Sequence, residues 1–321
     1  MKTRHNYFFI LLLLSLVLLT PFLGAERLSL SDLNKFDSLS YRIFWELRFP
    51  RWLLTLGVGG MLAVLGATYQ NLFRNPLSEP YVLGVSSAVT LGVVLGEFLF
   101  RQPTDSWGSL FCGMILAFLL ILFLTWFASS RWGSSSEKVI LFGLGCNFVL
   151  SSILFLVLSF QFQSVGGGAM RWFFGFIPWV ETKKAIVFLL GSVGFTIGIG
   201  IFSQALEALR LGDSVARTLG VSPQLTRNLF LFFTSVGVAV TVSVSGTIGF
   251  VGLVIPHLCR MVFKPRSFRI LLPQAFLLGA SFLVLCDGLS RALVPPFEFP
   301  VGVMTTLIGG PLFLVVLWRR N

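Results

Sequence analysis

An all-α polytopic membrane protein of about ten transmembrane helices is what this sequence predicts. Three observations carry that reading: a shortage of charge, long charge-free windows and a lopsided distribution of basic residues. Of the 321 residues, 55% are apolar and 12% charged, and the mean hydropathy is +0.88. A soluble domain carries about 25% charged residues, so half of the usual charge is missing. Nine windows hold no Asp, Glu, Lys or Arg: 6–25, 52–73, 80–96, 106–130, 139–170, 185–206, 228–259, 270–286 and 299–318. Crossing a bilayer as helix takes about 20 apolar residues, within a range of roughly 17–25, and every window qualifies.

Taken in order, the first window follows Lys2 and Arg4 and has the outline of a signal peptide. No small-residue cleavage site completes it, because Leu23 stands two before Ala25, so 1–25 is expected to stay as the first span. The second span, 52–73, is rich in small residues spaced for close helix packing, as in "GVGGMLAVLGA". A stiff joint follows, "RNPLSEPYVLGVSSA", in which Asn75, Pro76 and Leu77 form a turn before small residues start the next helix. Windows 80–96 and 106–130 each give one span.

Two windows need cutting. Each is 32 residues long, or about 48 Å as one helix, which exceeds a single crossing. In 139–170 the second half, "QFQSVGGGAM", is too polar and glycine-rich to cross, so that span ends near Phe160. In 228–259 the glycines of "SVSGTIGFVG" mark a turn, and the expectation is two short spans near 228–245 and 247–263. Together with 185–206, 270–286 and 299–318 this makes ten. The whole chain, 1–321, reads as one transmembrane domain, with its largest loops at 26–51, 161–184 and 206–227.

Charge orients it. With both termini cytoplasmic, fourteen of the 24 basic residues fall inside against four acids, and the densest basic loop, "RMVFKPRSFR", is among them. That satisfies the positive-inside rule, whereas nine spans would put that loop or the N-terminus on the wrong side. The net charge of +11 is scattered between apolar spans, which excludes a nucleic-acid partner and fits anionic lipid. Cys112, Cys146, Cys259 and Cys286 lie singly in apolar stretches and read as small buried hydrophobes.

The chemistry is mostly defined by what is missing. Gly-Lys never occurs, so no phosphate-binding loop of the G-x-x-x-x-G-K type exists in the chain. His5 and His257 have no second ligand at metal spacing, and no metal or cofactor is expected. Glu97 and Asp287 are the intramembrane acids; both lie near span ends and read as helix-end residues. A transport path powered by another subunit remains, with an ion-coupled secondary transporter as the alternative.

Three stretches look built for contact. "RFPR" places Arg48 and Arg51 around Pro50 at the outer entrance of the second span; on the residues alone, interfacial anchoring beside Trp52 comes first and partner docking second. "LEALRLGDSVARTLGVSPQLTR", 206–227, is the longest inside loop, with helical spacing at Leu206, Leu209 and Val215 and punctuation at Gly212 and Gly220. The joint at 74–88 is placed to narrow the inner mouth of a pathway.

These residues resemble a known family. "RFPRWLLTLGVGGMLAVLGATYQNLFRNPLSEPYVLGVSSA", "LGDSVARTLGV", "GTIGFVGLVIPHLCR" and "FPVGVMTTLIGGPLFLVVL" are similar to the signature stretches of FecCD-type permeases over roughly 40–320. The resemblance implies a type II ABC importer permease in the inner (cytoplasmic) membrane, carrying an iron-siderophore, haem or vitamin B12. Two copies of the permease would work with two ABC ATPase subunits and a periplasmic substrate-binding protein. It further implies docking of the binding protein on Arg48, Arg51 and Arg291, reversing the order given above. Gly212, Asp213, Arg217 and Gly220 would form the ATPase coupling segment. Asn75 and Leu77 would line an inner gate, with a second gate near Ser136 and Glu137, where the family has small hydroxylated residues.

Overall fold

A computed structural model describes residues 17–24, 26, 29–33, 35–36, 38–100, 106–130, 136–161, 172–294 and 297–318. The expected first span lies largely outside them; its end is a 3-10 turn, Thr20–Phe22. Among the described residues the chain is helical, with no strand. We number the helices α1 (Phe49–Leu72), α2 (Val85–Phe100), α3 (Trp107–Ser129), α4 (Ser136–Gln161), α5 (Thr182–Ile201), α6 (Ser203–Leu211), α7 (Asp213–Thr218), α8 (Pro223–Ser245), α9 (Val251–Val262), α10 (Phe268–Ala292) and α11 (Val301–Trp318). Six helical runs are long and apolar enough to cross a membrane; α2, α9 and most of α11 form three shorter apolar helices.

Helix α1 is the axis of the bundle. Pro50 sits in its first turn, where the missing N–H costs nothing. All but four of its 24 residues are buried, against α10, α5, α9 and α8. Glycines permit this crowding. A Cβ on Gly59 would collide with the Gly279 carbonyl in α10, and one on Gly66 with the Gly252 carbonyl in α9. Tyr69 adds a hydroxyl contact of 2.8 Å to Ser235 in α8.

The expected cut in window 228–259 is where the structure has one. Helix α8 stops at Ser245, the chain turns through Gly246 (φ 64°) and a left-handed Phe250 (φ 68°), and α9 starts at Val251. Inside α9, Pro256 has no N–H to give the Gly252 carbonyl. Gln70 of α1 supplies the missing donor, with Nε2 bonding the Gly252 and Leu253 carbonyls at 3.2 and 3.1 Å. Arg260 in turn donates to Gln70 Oε1.

The joint ends where the small residues were expected to start the next helix: 73–84 is a run of turns and helix begins at Val85, so the first part of window 80–96 is not helical. Leu83 packs on Gly143, and Gly84 (φ +80°) lies against Asn147, the twelfth residue of α4. Eleven residues of helix are about 17 Å, so the joint climbs well into the bundle before α2 starts. Non-helical backbone at such depth is tolerated because protein surrounds it. Helix α2 then packs on α3, with Gly92 against Cys112 and Gly113, and Gly96 against Ser109.

Gly66→Val should therefore be strongly destabilising, because the added atoms meet backbone rather than a flexible side chain. Overpacking of this kind costs about 1–3 kcal/mol, read as a lowered thermal midpoint in detergent. The same change at Gly194, where a Cβ meets nothing within 4 Å, should leave the midpoint unchanged.

Candidate functional site

Polar side chains gather at the two ends of α1. At the Arg51 end, four charged groups interlock. Arg51 donates Nε and Nη2 to Asp287 Oδ1 at 3.1 and 2.8 Å, and Nη1 to Glu298 Oε2 at 2.8 Å. Its guanidinium also lies over Trp179 (4.7 Å) and Phe176 (5.5 Å), so cation–π attraction adds to the ion pairs. Arg291 Nη2 reaches the other oxygen of Asp287 at 3.2 Å. Arg51 and Asp287 are 1% and 2% exposed.

The same end is covered by the chain that precedes α1. Arg48 donates to the Pro21, Phe22 and Glu26 carbonyls, and Arg291 to those of Thr20 and Leu23. Gly24 (φ +155°) lies against Arg48, and Trp52 donates to the Val17 carbonyl at 3.1 Å. All three sequence-picked arginines are thus brought together, and all three are buried. Arg48 and Arg51 are buried and bonded inside the protein rather than exposed beside Trp52, and Asp287, near the end of α10 as expected, is buried and clamps α1 to α10.

At the Arg74 end, the joint meets the α6–α7 unit. Asn71 Nδ2 donates to the Leu206 carbonyl at 3.1 Å, and Arg74 Nε to the Leu209 carbonyl at 2.7 Å. Arg74 Nη2 pairs with Asp213, which also receives Arg227 Nη2 at 3.2 Å. Burial raises the Asp213 carboxyl's pKa, but the charges of Arg227 and Arg74 with their hydrogen bonds outweigh it and hold the group below the usual carboxylate range. Glu207 accepts the Phe268 N–H, tying α6 to the start of α10.

Helices α6 and α7 meet at Gly212, whose φ of +125° few other residues adopt. That break resets the register. Leu206 and Leu209 are buried as their spacing predicted, whereas Val215 is exposed together with Leu211 and Leu219. Arg217 and Gly220 (φ +78°) are also exposed. In the joint, Asn75 Oδ1 accepts the Leu77 N–H at 2.9 Å, closing a side-chain turn, and Leu77 stands 50% exposed. Ser136 opens α4, and Glu137 beside it is exposed. Sequence reading missed Glu298, Trp179, Arg74 and Arg227. Of the pairs it overlooked, only Asp287–Arg291, four apart on one helix, had a local signal.

Comparison with known proteins follows from this geometry. A family model described as the FecCD transport family matches residues 9–319. The probable iron chelatin transport system permease protein of Helicobacter pylori is 34% identical over 337 residues, covering 100% of this chain and 99% of that protein. The vitamin B12 import system permease protein BtuC of Shigella boydii is 33% identical over 324 residues, covering 100% and 98%. A solved chain described as an inward-facing metal-chelate type ABC transporter superposes with a TM-score of 0.82 at 30% identity, covering 97% of this chain and 99% of that one.

Removing Asp287 should be costly, because it leaves two buried guanidiniums with less than their full complement. Asp287→Ala is expected to cost about 3–5 kcal/mol, measured as a fall in the unfolding midpoint in detergent. Breaking the exposed Lys184–Glu181 pair should cost about 0–1 kcal/mol. A second expectation concerns pH. With its folded pKa depressed, Asp213 adds stability above its unfolded pKa of about 3.9. The midpoint difference between the wild type and Asp213→Asn should hold from neutral pH down to that value, shrink as the pH falls below it, and be gone only once the pH has passed the lower folded pKa.

Proposed function

The chain belongs to the FecCD transport family, and we propose that it is the membrane permease subunit of a binding-protein-dependent ABC importer. Its cargo would be a metal chelate or corrinoid: an iron-siderophore, haem or vitamin B12. The observation that carries this reading is the α6–α7 unit, an amphipathic pair of short helices at the end expected to be cytoplasmic. It shows Leu211, Val215 and Leu219 to the exterior while being bonded to the joint on its inner side. Exposed apolar residues four apart, with Arg217 among them, suit a groove on a partner protein. With the family's ABC importers as the guide, an ATPase is the partner that would drive a chain with no phosphate loop of its own.

In this scheme two ATPase subunits close on ATP and move the α6–α7 units of two permease copies. The joint, with Asn75 and Leu77, then opens or shuts the inner mouth, with the turn at Ser136 and Glu137 as its second wall. Substrate passes between the copies by alternating access. Helices α3 and α4 leave broad apolar faces for lipid or for the second copy. The substrate class is supported by the names of the relatives, one for an iron chelate and one for vitamin B12. Both termini are expected in the cytoplasm, and the membrane is the inner one.

At the periplasmic end, docking of the binding protein is assigned to Arg48 and Arg291. The Arg48 guanidinium is held by carbonyls of the preceding chain, and that of Arg291 by Asp287 and by such carbonyls. Arg51, fixed by two acids and two rings, serves instead as the pin beneath them.

Three measurements test the proposal. Co-expressed with its ATPase, the permease should co-purify with it, and Leu211→Glu with Leu219→Glu should abolish that association without changing the permease's own elution; ATP hydrolysis by the isolated permease would sink the reading. Arg48→Glu with Arg291→Glu should weaken the binding protein more than about tenfold, since each charge-assisted bond is worth roughly 1.5–3 kcal/mol and 1.4 kcal/mol is tenfold. Arg51→Glu, which removes the partner of both Asp287 and Glu298, should lower the unfolding midpoint further than the Arg48 and Arg291 changes do. Uptake of a ferric siderophore, haemin and cyanocobalamin into vesicles of the assembled transporter identifies the cargo, and none entering would refute the substrate class.

A further inference from the structure

The sequence places Asp213 in the segment that meets the ATPase, yet its carboxylate faces the other way. It is held by Arg74 from the joint and by Arg227 from α8. Resting on the permease reading above, we propose that the Arg74–Asp213 pair is the link by which α6–α7 moves the inner joint. Asp213 and Arg74 are then positioning residues, acting on Asn75 and Leu77 rather than on the ATPase.

The bonding favours this route. Within four residues at the end of α1, Asn71 and Arg74 make three attachments to α6–α7, at the Leu206 and Leu209 carbonyls and at Asp213. Arg74 Nε adds a second donor to the Leu209 carbonyl, which the Gly212 N–H meets at only 3.3 Å, while Nη2 of the same fork takes Asp213. Arg74 occupies the left-handed region at φ 52°, uncommon for a residue with a side chain and sustained when surrounding contacts over-determine it. It is also the residue directly before Asn75. A displacement of α6–α7 therefore reaches the gate turn through one backbone bond.

Beyond that point the joint is held loosely. Leu83 and Gly84 touch Gly143 and Asn147 of α4 through van der Waals contact. Ser78 Oγ and Glu79 Oε2 are buried and have no hydrogen-bond partner among the described residues. Unsatisfied buried oxygens disfavour the present arrangement of the joint relative to one that pairs them. The charge-assisted attachment lies on the α6–α7 side, while the α4 side has van der Waals contact and the neutral bonds of Ser87 to Asn147 and Ser151 at 2.6 and 3.2 Å, so the joint follows α6–α7.

Double spin labels at Leu77 and Leu141, both exposed, report the joint against α4 in the permease assembled with its ATPase. Trapping with ATP and vanadate should change this distance in the parent. Arg74→Gln should hydrolyse ATP at the parent rate yet shrink the distance change roughly threefold or more, within the range of measured coupling energies. Adding Asp213→Asn to Arg74→Gln should bring no further loss, as expected for two members of one link. Arg74→Lys, which keeps the charge but not the fork, should retain about half of the change, and it serves also if the glutamine variant fails to fold. A full distance change in Arg74→Gln, or additive losses in the double variant, would overturn the link while leaving the permease reading intact. A parent that neither binds the ATPase nor responds to ATP and vanadate would overturn both.

Discussion

Backbone contact along α1 is the constraint on which the rest of the molecule depends. Inside a bilayer, lipid tails are as apolar as the side chains they would replace, so helix association must come from packing and from satisfied polar groups. The glycines at 59 and 66 let α10 and α9 approach until main chains touch. Close approach then sets everything finer. It puts Gln70 within reach of the carbonyl that Pro256 leaves open, and it brings Asp287 of α10 level with Arg51. With bulkier residues at these positions, the helices would stand apart and both polar contacts would be lost.

Each break in the helical pattern has a different standing. The break at 246–250 is well supported: Phe176 donates to the Ser245 carbonyl at 2.8 Å, Thr247 to that of Trp172 at 3.1 Å, and Gly302 packs close by. The break at 73–84 is not. Its turns carry buried oxygens without partners, they meet α4 by van der Waals contact, and the first hydrogen bonds to α4 come from Ser87, in the first turn of the next helix. Two discontinuities in one bundle, one braced and one under-satisfied, give a fixed element and a movable one. That asymmetry suits a protein that must hold its outer architecture while an inner passage changes width.

Much of this fold was legible in the sequence, and the reasons are local. A span shows itself by about 20 residues without charge, and the turn in 228–259 by three glycines, because both signals lie within one element. The start of α2 was legible in the small residues that follow the prolines, whereas the charge-free window, which opens at Pro80, cannot tell buried helix from buried turns. The arginines expected to dock a partner and the expected coupling segment were picked out through motif resemblance, while the groups they bond within the chain were not. Arg74 and Asp213 are 139 residues apart, and Arg51 and Asp287 are 236 apart; pairing at such separation is a property of the packed bundle, with no trace in either neighbourhood.

The two ends of α1 finally constrain one another. At one end Arg51 is locked to α10 through Asp287, and at the other Asn71 and Arg74 are bonded to α6–α7, which Glu207 bonds to the start of α10. Helices α1 and α10 and the α6–α7 unit are thereby closed into a loop of contacts that no member can leave without breaking a buried or charge-assisted bond. Such a loop moves as a body or not at all. Relative motion must then be taken up outside it, against α4, to which the joint and the start of α2 are attached only by van der Waals contact and the neutral hydrogen bonds of Ser87. Coupling between the partner face and the passage needs no pathway through the core; it needs one rigid body and one loosely held neighbour.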